Sequence, residues 1–137
     1  MTPVLIDTNV VIDIVGEDPV WRDWSEHALA DALLSAPTIV NPIVYAELAA
    51  RFDRVEDIDG LLRKLGLQRE DLPWPAAFLA GRAHVEYRGR GGERRSPLPD
   101  FFIGAHAAVR RYTLLTRDAR RYRTYFPSVN LICPDSD

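Results

Sequence analysis

Short apolar runs alternate with helix-like segments along this chain, and this alternation restricts the fold more than any other feature. The runs lie at residues 4–6, 38–40, 112–116 and 129–132. Apolar runs without polar alternation are typical of strands buried on both faces, as in a parallel sheet. We therefore predict an α/β fold, a three-layer α/β/α sandwich around a central, mainly parallel sheet of four to five strands.

Turn signals and apolar periodicity place the helices between these strands. Asp18 followed by Pro19 predicts the start of a helix that extends to about Leu34, and Pro42 is expected to stop the second strand. Gly66 is expected to end a helix as its C′ residue. The other helices are predicted at residues 10–15 (a brief turn), 44–52, 57–65, 76–87, 100–111 and 118–122.

Length and composition indicate a single domain over residues 1–137. The chain has 137 residues, of which 47% are apolar, which suffices for one core. Its one cysteine, Cys133, excludes an internal disulfide and is expected to serve as a small apolar residue in the last strand. The chain shows no signal peptide and no membrane-spanning apolar run, so we expect a cytoplasmic protein that has no contact with membranes.

Charge is distributed unevenly along the chain. Residues 1–81 carry 14 acidic and 6 basic side chains, whereas residues 82–125 carry 11 arginines and 4 acids. The second segment thus has a net charge of +7, although the whole chain has −3. Such asymmetry indicates a basic surface that faces a polyanion, and solvated helix faces are an equally good explanation on charge alone.

Four acidic residues stand where a sheet of this kind would bring them together. Asp7 directly follows the first strand, and Asp118 follows the strand that contains Leu114 and Leu115. Ligands of open α/β sheets bind outside the carboxyl ends of the strands. Asp100 opens a helix, and Glu47 borders the apolar stripe of another.

Each aspartate also has a local explanation. Asp7 could form an Asx turn, and Asp100 and Asp118 could cap helices. Taken together, however, three acids at such junctions form the oxygen-rich set that a hard cation such as Mg²⁺ requires, and a bound dication would relieve their repulsion.

Four segments, in this order and at these separations, resemble the PIN-domain ribonucleases and, among them, the VapC-type toxins of prokaryotic toxin–antitoxin modules. The resemblance covers essentially the whole chain. Gly104 stands where the family often has alanine, a departure expected to affect packing only. The segments are residues 4–9 (VLIDTN), 45–48 (YAEL), 98–105 (LPDFFIGA) and 114–118 (LLTRD), the last followed by Tyr122 and by Phe126-Pro127.

The resemblance implies an endoribonuclease that hydrolyses phosphodiester bonds with Mg²⁺ or Mn²⁺ and leaves a 5′-phosphate and a 3′-hydroxyl. It assigns Asp7, Asp100 and Asp118 as metal ligands, direct or through water. It assigns Glu47 to a second metal or to the attacking water. The supporting residues that position ligands or metal-bound water are expected to be Thr8, Asn9 and Thr116, although Asn9 could merely form the turn.

The resemblance also implies partners. They are an RNA (tRNA, rRNA or mRNA), a cognate VapB-type antitoxin that neutralises the toxin, and a second copy of the chain in a homodimer that joins the antitoxin in a heteromeric complex. Arg117 could meet the scissile phosphate or pair with an acid. Candidate contacts to the RNA backbone are Arg88, Arg90, Arg94, Arg95, Arg117, Arg120 and Arg121.

The main alternative is a non-catalytic PIN-like module that binds RNA or protein. Loss of one or more acids would mark such a module, and all four are present. Phosphoryl transfer on an aspartate is disfavoured, because dehalogenase-type phosphatases need Asp-x-Asp where this chain has Asp7-Thr8-Asn9, and a receiver domain needs a lysine after its last strand. The sequence does not specify the RNA, the cleavage sequence or the number of metal ions.

Overall fold

A sheet of five parallel strands forms the centre of the computed structural model, which describes residues 1–91 and 98–134. Within those residues the strands are β1 (Val4–Ile6), β2 (Thr38–Val40), β3 (Gln68–Arg69), β4 (Thr113–Leu115) and β5 (Leu131–Ile132). Their order in the sheet is β3-β2-β1-β4-β5, and every neighbouring pair is parallel. The predicted α/β class and parallel sheet are therefore confirmed.

The helices lie in the crossovers between strands, as parallel pairing requires. They are α1 (Thr8–Val15), α2 (Arg22–Ser35), α3 (Pro42–Ala49), α4 (Val55–Leu65), α5 (Trp74–Gly89), α6 (Leu98–Arg110) and α7 (Arg120–Tyr125). Together with the sheet they form the predicted three-layer α/β/α arrangement. No helix in the described ranges is long and apolar enough to cross a membrane.

The strand order contains one topological switch. From β1 the chain builds the sheet in one direction through β2 and β3, and then returns to the other side of β1 with β4 and β5. Leu5 and Leu114 are fully buried partners across the β1–β4 pair. Ligand crevices of open α/β sheets lie at such switches, so the carboxyl ends of β1 and β4 are the place to look for a site.

The helices begin two to four residues away from their predicted starts, and three of these differences have a clear local reason. The side chain of Asp18 accepts hydrogen bonds from the backbone N–H groups of Val20 and Trp21, both at 2.8 Å, so it caps a turn and α2 begins only at Arg22. Pro42 does not merely stop β2: it is the first residue of α3, which Asn41 caps. The last predicted helix begins at Arg120 instead of Asp118.

The strand β3 was not predicted. It has only two residues, both exposed, and its position depends on backbone pairing with Ile39 and Val40 of β2.

Gly66 does end α4, in the left-handed conformation with φ of 77°, as expected. Cys133 lies just after β5 and is partly buried.

Candidate active site

Asp7 lies at the carboxyl end of β1 and is 4% exposed. It is the N-cap residue of α1, yet its side chain makes no capping hydrogen bond. Instead, its Oδ2 accepts hydrogen bonds from the hydroxyls of Thr116 at 2.8 Å and Tyr122 at 2.9 Å. Asn9 Nδ2 lies 3.4 Å from the same oxygen. The carboxylate is therefore fixed by Thr116, which directly follows β4, by Tyr122 of α7 and by Asn9 of α1.

Burial and, to a smaller extent, the negative charge of Asp100 raise the pKa of Asp7 from its ordinary value of 3.8 to about 7. The hydrogen bonds from Thr116 and Tyr122 act in the opposite direction, because they stabilise the ionised form. A cation bound beside Asp7 would stabilise the ionised carboxylate and so lower its pKa. The environment of this carboxylate therefore suits a bound positive charge.

Asp100 and Asp118 line the same cavity as Asp7, which has a volume of about 470 Å³. Asp100 is the third residue of α6, beyond the capping position, and Asp118 precedes Ala119, the N-cap of α7. Burial raises the pKa of Asp100, and the charge of Asp118 also raises it. The capping explanation therefore does not account for Asp100 or Asp118, and all three aspartates line a single cavity.

Glu47 is placed differently from the three aspartates. It lies on α3, and its Oε1 accepts a hydrogen bond of 2.6 Å from the Thr8 hydroxyl. Burial raises its pKa, and the charge of Asp100 also contributes. Glu47 does not line the aspartate cavity, but it is close enough to Asp100 for their charges to interact.

Thr116 connects three parts of the site. Its hydroxyl donates to Asp7 Oδ2, and its Oγ1 accepts from the backbone N–H of Asp118 at 3.1 Å and from Asn9 Nδ2 at 3.3 Å. The Asn9 side chain in turn accepts from the backbone N–H of Arg117 at 3.3 Å. Each residue expected to support the acids therefore contacts an acid or the loop that carries one. These residues are Thr8, Asn9 and Thr116.

The donor set fits a hard dication, because its members are carboxylate and hydroxyl oxygens. Within residues 1–91 and 98–134, however, no three carboxylate, histidine or cysteine side chains are arranged as ligands of one ion. Arg121 Nη1 lies 2.6 Å from Asp100 Oδ2, so that carboxylate already has a cationic partner. The aspartates are gathered in one cavity without converging on a common point.

Comparison with models of protein families identifies the family of this chain. The family model for the PIN domain matches residues 4–127. The chain belongs to the PIN-domain family. This confirms the family resemblance predicted from the four sequence segments.

Solved structures with the same fold include several toxin–antitoxin complexes. A chain of VapBC2 from Rickettsia felis, bound to a promoter DNA fragment, is 20% identical with a TM-score of 0.71, and the match covers 96% of this chain and 98% of that one. A chain of DNA-bound VapBC from Salmonella typhimurium is 19% identical with a TM-score of 0.68, and the match covers 97% of this chain and 98% of that one. A chain of a toxin–antitoxin complex from Klebsiella pneumoniae is 22% identical with a TM-score of 0.66, and the match covers 92% of this chain and 94% of that one. Comparison with curated proteins gave no match.

The arginines of this PIN domain are not equivalent. Arg117 Nε donates to Asp13 Oδ2 at 2.8 Å, so of the two roles predicted for Arg117 the structure shows the ion pair with an acid. Arg90 pairs with Glu86 at 2.7 Å, and Arg121 pairs with Asp100. Arg88 is exposed on α5, and Arg120 lines the aspartate cavity. Arg94 and Arg95, also predicted to contact RNA, lie outside the described residues.

Sequence reasoning missed the roles of Tyr122 and Asp13. Tyr122 is 2% exposed and donates to Asp7, and burial raises its pKa well above the ordinary value, so it remains protonated. Asp13 is 1% exposed and accepts from Ser25 and Arg117. A single acid in the otherwise apolar run from residue 10 to 15 was the available signal for Asp13. No comparable signal existed for the Tyr122 hydroxyl.

Proposed function

We propose that this PIN domain is a metal-dependent endoribonuclease that hydrolyses phosphodiester bonds of RNA. The observation that carries the proposal is the meeting of Asp7, Asp100 and Asp118 in one cavity at the β1–β4 switch, where Asp100 and burial raise the pKa of Asp7. Acids brought together from three separate segments repel one another, which favours a cationic ligand.

The three aspartates would hold Mg²⁺ or Mn²⁺, directly or through water. A divalent ion at such a site supplies Lewis-acid activation of water and neutralises phosphate charge. Thr116 and Tyr122 keep Asp7 oriented, because both donate to its Oδ2. Glu47, which accepts a hydrogen bond from Thr8, would orient a water molecule or contribute to a second ion. Asp100 joins the set once Arg121 releases it.

We also propose that the protein is the toxin of a toxin–antitoxin pair in the cytoplasm, with a VapB-type antitoxin and a second copy of itself as partners. The toxin–antitoxin complexes with the same fold support the first partner. An apolar stripe on α5, formed by Trp74, Phe78 and Val85, supports a protein partner of some kind, because these side chains are 88%, 74% and 57% exposed.

The alternative function is a non-catalytic module that binds RNA or protein. The observation that supports it is the ion pair between Arg121 and Asp100. Because of this pair, a basic side chain of the protein itself already balances the charge of one of the three aspartates. The buried Asp7 argues against this alternative, because among the described residues no arginine pairs with it and burial raises its pKa.

Cleavage assays separate the two functions. Purified protein, shown free of antitoxin, is incubated with total tRNA, a ribosomal RNA fragment and an mRNA, each with Mg²⁺, Mn²⁺ or EDTA. Asp7→Asn removes a proposed ligand, and Asp53→Asn, an exposed loop acid, is the matched control. Fragments that require metal, persist in Asp53→Asn and vanish in Asp7→Asn would support the nuclease. Intact RNA in every reaction would favour the binding module.

A further inference from the structure

A second cavity continues from the aspartate cavity across α7. Its volume is about 460 Å³, and it shares Asp118, Arg120 and Thr124 with the first. Because the two cavities have these walls in common, they lie next to each other, and we refer to the two together as the groove. The second cavity extends past Trp21 to Cys133 and Pro134. A strand that places one phosphate beside the aspartates would therefore continue into this second cavity.

The charge of the second cavity is opposite to that of the first. Arg117, Arg120 and Arg123 line it, whereas Asp118 lies where it meets the aspartate cavity. Two of these guanidinium groups already have contacts: Arg117 binds Asp13, and Arg123 Nη2 lies 3.3 Å from Cys133 Sγ. Among the described residues, Arg120 has no carboxylate partner and its side chain is exposed. Arg120 is therefore the cation best placed for an external anion.

The second cavity also has an aromatic wall. Trp21 is half-buried, and its ring lies 6.4 Å from the ring of Trp24 in an edge-on arrangement. The guanidinium carbon of Arg117 lies over the Trp21 ring, 5.8 Å from its centroid. These neighbours hold the indole in place. An aromatic ring in a basic groove is the arrangement on which the bases of single strands stack.

We propose that the second cavity binds the nucleotide adjacent to the scissile phosphate of single-stranded RNA. Arg120 contacts the phosphate of that nucleotide, and Trp21 stacks on its base. The metal site would neutralise the scissile phosphate, so the next phosphate along the strand needs a cation from the protein, and Arg120 supplies it. This subsite rests on the proposed ribonuclease function, and it assigns Arg120 and Trp21 to substrate binding and not to metal binding.

The test measures binding of a fluorescein-labelled 12-nucleotide single-stranded RNA by anisotropy in EDTA, at several NaCl concentrations. Each phosphate contact on a single strand contributes a slope of about 0.7 in log Kd against log salt. We expect Arg120→Gln to lower the slope by about 0.7 and to raise Kd about tenfold at low salt. The control is Arg63→Gln, an exposed arginine on α4 without an ion pair among the described residues, and it should bind like wild type.

Trp21 is tested with two variants, because the ring also packs on Trp24. Trp21→Leu should raise Kd about tenfold, the size of one base-stacking contact, without changing the salt slope. Trp21→Phe keeps a ring and should recover most of the affinity. Loss of affinity by both variants to the same extent, with unchanged melting temperatures, would overturn the stacking role.

The outcomes distinguish this inference from the function on which it rests. The first outcome is that wild-type protein cleaves RNA with metal, but Arg120→Gln and Arg63→Gln have the same slope of log Kd against log salt. The proposed subsite is then wrong, and the nuclease proposal stands. If Arg120→Gln impairs only the binding of a protein partner, the groove is a partner site and the subsite is again wrong. If wild-type protein binds the RNA with the predicted slopes but cleaves nothing in either metal, the nuclease proposal fails and the groove is an RNA-binding surface.

Discussion

Arg121 forms an ion pair with Asp100 inside the aspartate cavity, with Nη1 and Oδ2 2.6 Å apart. The two residues come from α7 and α6, and their side chains are 38% and 35% exposed. One of the three acids proposed to bind metal is thus occupied by a cation of the chain itself. Metal binding and this ion pair compete for the same carboxylate.

This competition predicts that Arg121→Gln tightens metal binding. The ion pair is partly exposed and screened by solvent, so the gain should be modest, roughly two- to fivefold in the Kd for Mg²⁺ or Mn²⁺. Isothermal titration calorimetry with the metal alone measures it, and Arg63→Gln is the control. Unchanged or weaker metal binding by Arg121→Gln would show that the arginine does not compete.

The raised pKa of Asp7 predicts an unusual pH dependence of stability. Because the folded pKa of about 7 exceeds the ordinary value of 3.8, the contribution of Asp7 to stability is fully present below pH 3.8 and is lost as pH rises through 7. In EDTA, Asp7→Asn should therefore gain stability relative to wild type between pH 5 and pH 8, on the order of 3 kcal/mol.

Urea denaturation of both proteins at several pH values measures that difference, and other titrating groups cancel in the comparison. Added Mg²⁺ should raise the melting temperature of wild type at pH 8 and leave Asp7→Asn little changed, because binding to the folded state stabilises it. Parallel pH profiles for the two proteins would contradict the burial argument.

Removal of one hydroxyl donor should weaken metal binding in a pH-dependent way. Tyr122→Phe removes the hydrogen bond of 2.9 Å to Asp7, which favours the ionised carboxylate. We expect the metal concentration for half-maximal cleavage to rise about tenfold at pH 7, since one hydrogen bond to a charged group contributes about 1.5–3 kcal/mol. The defect should shrink at pH 8.5, where Asp7 is ionised in both proteins.

The control for this prediction is Tyr45→Phe, because the Tyr45 hydroxyl donates to Asp59 in another part of the fold. An equal change in both variants, or a Tyr122→Phe defect independent of pH, would mean that the hydroxyl acts only through packing.

Gly104 should not tolerate alanine. A Cβ there would lie 2.5 Å from Cδ2 of Phe126 and 3.0 Å from Cδ1 of Tyr122, the residue that holds Asp7. Overpacking of this kind costs about 1–3 kcal/mol, which offsets the gain in helix propensity of about 1 kcal/mol. Gly60→Ala on α4 is the matched control, because its Cβ would meet nothing within 4 Å, and it should be as stable as wild type or more so.

Thermal unfolding of both glycine variants tests this prediction. A Gly104→Ala protein at least as stable as Gly60→Ala would show that Phe126 moves aside without cost.

The proposed homodimer, with the apolar stripe on α5 as its contact surface, predicts self-association. Phe78→Glu places a charge in the middle of the stripe, and because Phe78 is 74% exposed the change should leave the melting temperature of the monomer unaffected. Light scattering after size-exclusion chromatography should show a dimer for wild type and a monomer for the variant. A wild-type protein that is monomeric at high concentration would remove the homodimer from the proposed function.

Local sequence patterns predicted the strands that are buried on both faces. The strands β1, β2 and β4 are buried on both faces, so each appears as an apolar run that needs no knowledge of its neighbours. The exposed strand β3 has no such run. The position of Asn41 before Pro42 was informative in principle, since it is a favoured helix start, but Pro42 was interpreted as a stop.

The sequence by itself determined the fold class and the approach of the aspartates, because parallel strands place their carboxyl ends at one edge of a sheet. Only the tertiary structure decided which charges pair. Arg117 pairs with Asp13 across 104 residues, and His106 is fully buried between Asn41 and Glu70. Side-chain pairing depends on distances between elements remote in sequence, and local periodicity carries no information about those distances.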